Sequence, residues 1–82
     1  MPTITATFKN NYGESKLWTI LDLGRDQSAP SQVFRDYLEP DQVTDPLTLY
    51  SADGVYGLAG YQRSDGQLQR VDVSDQSEVD ME

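Results

Sequence analysis

The side chains that most often perform acid–base and nucleophilic chemistry are missing from this sequence. Its 82 residues contain no Cys and no His, which removes thiol nucleophiles, thiolate zinc sites and the commonest general base and metal ligand. Carboxylates and hydroxyls remain. Asp41, Asp45 and Asp53 lie in turn-rich stretches, from which they could converge on a calcium ion or work as an acid–base pair. Against this, Asp41-Gln42-Val43-Thr44-Asp45 lacks the alternating ligands, central Gly and terminal Glu of an EF-hand loop, and loop aspartates ordinarily bond to turn backbone. Ser31, Ser51 and Ser64 stand in cap or turn contexts with no histidine to activate them. Gly54, Gly57 and Gly60 recur every third residue, but they fall in strand-like sequence and open no helix, so they do not make a phosphate-cradling loop. A twist, a bulge or the close approach of another backbone is their expected role. The sequence therefore predicts no catalytic residue, no metal ligand and no cofactor.

Charge narrows the partners. Fourteen acidic residues against six basic ones give a formal net charge of −8, and such a surface repels a phosphate backbone, which proteins bind by releasing counterions with Lys and Arg. Direct nucleic-acid binding is not expected. Anionic membrane surfaces are disfavoured for the same reason, and no apolar run approaches the roughly 20 residues of a membrane helix. Met-Pro-Thr-Ile-Thr-Ala-Thr-Phe at the start lacks the basic residues and apolar stretch of a signal peptide, so a cytoplasmic setting is expected.

The elements that would position any site are read from periodicity. Thr3 to Lys9 alternates strictly, with Ile4, Ala6 and Phe8 on one side and Thr3, Thr5, Thr7 and Lys9 on the other, the pattern of a half-buried strand. Asn10-Asn11-Tyr12-Gly13 should reverse the chain into a hairpin. Lys16 to Leu23 has apolar residues on both faces, as a central strand does, with Trp18 in the core. Gly24 to Pro30 is a surface loop by composition. Ser31 to Leu38 fits a strand and a short helix almost equally, and Pro40 ends either. Leu47 to Tyr50 is a further short apolar segment, closed by Ala52-Asp53-Gly54.

Ser64-Asp65-Gly66-Gln67 has the composition of a two-residue hairpin turn. Pairing outward from it sets Arg63 opposite Leu68, Tyr61 opposite Arg70 and Gly60 opposite Val71, and turns Tyr56, Leu58, Gly60, Val71 and Val73 toward the core. Ser74 to Glu82 contains acidic residues and no basic one, and too little apolar surface to offset its ordering entropy. The expected organisation is one β domain over residues 1–73 followed by an acidic, disordered tail over 74–82. Five or six short strands with no long helix point to a small antiparallel β-sandwich of immunoglobulin-like type, or a small barrel.

Function is then expected of a surface. Tyr61, Arg63 and Arg70 on the outer face of the last hairpin combine residue types enriched where proteins bind one another. The expectation is a non-catalytic module that presents this face to a protein or glycan, with edge strands available for pairing into a homodimer. One alternative is an acidic inhibitor that mimics nucleic-acid charge in a basic cleft, although half of its net charge would then lie in the tail. A calcium-binding sandwich or a small carboxylate-based enzyme ranks below both.

Overall fold

Alternation of side chains decides the first element. A computed structural model describes residues 3–24 and 31–82, and in it β1 (Thr3–Asn10) buries Ile4, Ala6 and Phe8 on one side. In β2 (Lys16–Asp22), Trp18 and Ile20 are buried while Leu17 and Leu21 stay half-buried on the opposite face. The chain continues through β3 (Ser31–Leu38), β4 (Leu47–Tyr50), β5 (Tyr56–Arg63), β6 (Gln69–Ser74) and β7 (Ser77–Met81). Among the described residues there is no helix, and so none long and apolar enough to cross a membrane. Residues 25–30 of the expected surface loop lie outside the described residues. Ser31 to Leu38 is a strand, because pairing with β2 sets Phe34 opposite Ile20 and Leu38 opposite Lys16, and Leu38 is buried.

The strands form two packed sheets in the orders β4-β1-β7 and β3-β2-β5-β6. The architecture is a small β-sandwich and not a barrel. Among the described residues it has seven strands where five or six were expected, and the β1–β7 pair is parallel, unlike the others. Ile4, Ala6, Phe8, Leu49, Val79 and Met81 enter the core from one sheet, and Trp18, Ile20, Leu38, Ala59 and Val73 from the other. The Tyr61 ring lies 6.0 Å from that of Trp18 at 59°, a tilted packing that aromatic quadrupoles favour.

The Asn10–Gly13 reversal is not a hairpin, since β1 and β2 belong to different sheets. Its anchor is Asn10, which is fully buried and donates through Nδ2 to the carbonyls of Glu14 (2.8 Å) and Leu38 (2.9 Å), while its Oδ1 accepts the Tyr12 amide (3.0 Å). A buried amide satisfied on both ends fixes the crossing between sheets, and Gly13 takes the positive φ of 97° that the turn requires.

The last hairpin is displaced by one residue from its expected register: Tyr61 pairs with Gln69, Gly60 with Arg70 and Gly57 with Val73. A one-residue slip inverts a strand's faces relative to its partner. Val71 and Val73 still face inward, but on β5 the inward residues are Gly57, Ala59 and Tyr61, and Leu58 and Tyr56 face out. Space explains the choice. A Cβ on Gly57 would meet the Tyr50 carbonyl oxygen at 2.8 Å and Ile4 Cδ1 at 3.0 Å, so the opposing sheet is too close there for a larger side chain. The turn closes with the Gly66 amide on the Arg63 carbonyl at 2.9 Å, not as a two-residue loop.

The segment expected to be a disordered tail contains β7, and the sandwich extends through Met81. Its few apolar residues suffice because they alternate. Val79 and Met81 are 9% and 0% exposed, whereas Glu78 and Asp80 face solvent opposite Thr7 and Lys9. Pairing with β1 supplies the backbone partners that composition alone does not reveal. Met81→Ala is expected to lower unfolding free energy by about 2–5 kcal/mol in a denaturant titration, and Glu78→Ala to change it by no more than about 0.5 kcal/mol. Equal, negligible effects of both would contradict a packed β7.

Candidate binding face

The three residues singled out for binding do not share one surface. Tyr61 turns inward and packs on the core. Arg70 is exposed on the opposite side of the hairpin, across from Gly60. Arg63 belongs to a third environment at the end of the sandwich. Its guanidinium lies 3.9 Å from the centroid of the Tyr12 ring and pairs with Asp65 through Nε. Lys16 reaches the same Asp65 at 3.2 Å and Glu14 at 3.7 Å. This cluster ties the turn after β1 to the turn after β5. Its cations are neutralised from within the chain, which suits a fastening between loops better than a grip on a partner.

The loop carboxylates and hydroxyls are also dispersed. Asp41, with φ of 65°, is exposed and lies 3.8 Å from Lys9, and Asp45 is exposed. Asp53 Oδ1 accepts the amides of Val55 (2.9 Å) and Tyr56 (3.0 Å) and lies 3.0 Å from Ser51 Oγ. Among the described residues no three His, Cys, Asp or Glu side chains gather as a metal-holding group. Ser51 is fully buried, with its Oγ against the Tyr56 carbonyl and accepting the Gly54 amide at 2.9 Å, so it serves the turn. Ser31 and Ser64 are exposed. Asp22 is a buried carboxylate at the end of β2 and accepts the amides of Gly24 (3.1 Å) and Tyr50 (2.9 Å). It links the two sheets.

What these elements leave open is the outward face of the four-stranded sheet. Cross-strand register places Tyr37 beside Leu17, Arg35 beside Thr19, Thr19 beside Gln62, Leu21 beside Gly60, and Gly60 beside Arg70. All of these point away from the core, on the side opposite Trp18 and Ile20. Leu58 and Asp72 form the next row. Gly60 has a packing role here: a Cβ at this position would meet Leu23 Cδ1 and Leu68 Cδ1, each at 3.1 Å. Leu23, 3% exposed, is buried outside the central cluster, and Leu23 and Leu68 both lie against Gly60 on this face. Around it Leu17, Leu21 and Leu58 are half-buried, Leu68 is 38% exposed, and Tyr37 is 66% exposed. The two-sided apolar pattern of Lys16 to Leu23 already carried this signal, since the residues that do not enter the core must cover the other face.

No family model, no curated protein and no solved structure matches the chain.

Two exposed carboxylates carry a pH dependence. Backbone amides of Tyr56 and then Val55, with the Ser51 hydroxyl, hold Asp53 below the usual carboxylate range, and Arg63 followed by Lys16 does the same for Asp65. A carboxylate whose folded pKa lies below its unfolded value near 4 contributes stability above that value and loses it as pH falls through the folded pKa. Thermal melts from about pH 5 to about pH 2 are expected to show a falling midpoint. The fall should be shallower in a variant combining Asp53→Ala and Asp65→Ala. An unchanged acid slope in that variant would place the dependence elsewhere.

Proposed function

We propose that the protein is a non-catalytic interaction module that docks a protein partner on the outward face of its four-stranded sheet. The observation that carries this reading is the gathering of Leu17, Leu21, Leu58, Leu68 and Tyr37 on a face turned away from the core. Tyr37 with Leu17, and Leu21 with Leu58 and Leu68, flank the polar row Arg35–Thr19–Gln62, and apolar side chains set among polar ones on an exposed sheet face are the composition of interaction sites. Arg70 remains part of the surface. Tyr61 supports it from inside, and Arg63 fastens the loops at its end.

A second reading is an acidic mimic that occupies a basic cleft. It is favoured by the placement of Glu78 and Asp80 on the ordered strand β7, since a mimic must hold its charges in fixed positions.

The two readings separate in one experiment. The immobilised protein is compared with Tyr37→Ala/Leu68→Ser and with Glu78→Gln/Asp80→Gln for retention of proteins from its native extract, with melting followed in parallel. Docking on the sheet face requires that the first variant lose a retained protein that the second keeps, at an unchanged melting midpoint. The reverse pattern supports the mimic, and retention by both variants alike rejects docking on this face.

A further inference from the structure

Internal neutralisation divides the described basic residues into two groups. Lys9 pairs with Asp41, Lys16 with Glu14 and Asp65, and Arg63 with Asp65. Arg35 and Arg70 form no ion pair among the described residues, and both are exposed. Both also stand on the outward face of the four-stranded sheet. We propose that this face takes an acidic segment of another protein, with leucine or aromatic side chains on the central leucines and carboxylates on Arg35 and Arg70.

The proposal rests on the docking reading above and adds the chemistry of the partner. Placement supports it first. Arg35 is on β3 and Arg70 on β6, the two outer strands, with Leu17, Leu21 and Leu58 on the strands between them. At about 4.8 Å per strand their backbones lie roughly 14 Å apart across the sheet, a span that a short peptide segment crosses. Charge supports it second. The chain as a whole is strongly acidic, at −8, yet this face has Arg35 and Arg70 against Asp72. Fields from the acidic remainder are screened over about 8 Å at physiological ionic strength, so a docked segment experiences the arginines. Planar guanidinium groups bind carboxylates in bidentate fashion. Of the acidic segments a second copy of this chain could offer, Glu78 to Glu82 has Val79 and Met81 turned into its own core, and the Glu39 to Asp45 loop presents Val43 and no leucine or aromatic side chain. That favours a different protein.

The test uses a dye-labelled peptide of glutamates interspersed with leucine and phenylalanine, and a counterpart with lysine for each glutamate. Binding is read by fluorescence anisotropy at low and high salt, and phosphatidylserine vesicles are assayed alongside by co-sedimentation. The glutamate peptide is expected to bind at least about tenfold more tightly than its counterpart. Arg35→Gln/Arg70→Gln should remove most of that preference and its salt dependence, and Lys9→Gln should leave both intact. Equal binding of the two peptides, or a preference that survives loss of both arginines, overturns the proposal. So does arginine-dependent binding to vesicles alone, or a wild-type dimer that the arginine variant dissociates. If Tyr37→Ala/Leu68→Ser still abolishes retention of the native partner while the arginine variant does not, docking on the face stands and only the acidic partner falls.

Discussion

A strand in the middle of a sheet must satisfy backbone groups along both of its edges, and for β1 this requirement organises the whole molecule. No single neighbour runs its full length. On one side β4 pairs antiparallel with Thr3 to Ala6, and beyond it the loop takes over: Thr44 donates its amide to the Phe8 carbonyl at 2.8 Å, and Asn10 donates to the Gln42 carbonyl at 2.9 Å. On the other side β7 pairs parallel with Ala6 to Asn10, and the turn before it completes the edge, Asp75 Oδ1 accepting the Thr5 amide at 2.9 Å and the Gln76 amide donating to the Thr5 carbonyl. Two stretches of chain distant from β1 in sequence, residues 42–50 and 75–81, thus converge on its eight residues.

That convergence explains which parts of the fold were legible beforehand. Alternation in Thr3 to Lys9 records a local fact, one wet face and one dry one, and it fixed the strand and its buried residues. Strand β7 is supported mainly by what β1 needs along its far edge. Its own residues show little more than Val79 and Met81 among acids, and composition could not separate that from a solvated tail. The register of the last hairpin was hidden for a related reason. Turn chemistry at Asp65-Gly66 is local and carries no trace of the Tyr50 backbone that presses on Gly57 from the opposite sheet. A contact between residues distant in sequence overruled a good local signal.

The same slip explains why only part of the binding surface could be foreseen. Faces on β6 followed the expected alternation and left Arg70 outside, while the inversion of β5 exchanged Tyr61 for Leu58 on the outer surface. Two observations that read as ordinary core features, the leucines on the second face of β2 and the small residue at Gly60, turn out to describe that surface. Leu17 and Leu21 are spread across it, and the lack of a side chain at Gly60 leaves room there for Leu23 and Leu68. The Tyr12–Arg63 stack leaves no local sequence signal because it joins two turns separated by most of the chain.

The parallel pairing of β1 with β7 also gives the sandwich a mechanical direction. Because the two strands run the same way side by side, the start of β1 and the end of β7 lie at opposite ends of their shared ladder. Tension applied between Thr3 and Glu82 therefore runs along the strands, loading the hydrogen bonds from Ala6–Ser77 to Asn10–Met81 together in shear instead of peeling them one at a time. A chain pulled from its ends would yield late and abruptly, whereas the antiparallel hairpin of β5 and β6, pulled from its two open ends, would unzip at low force.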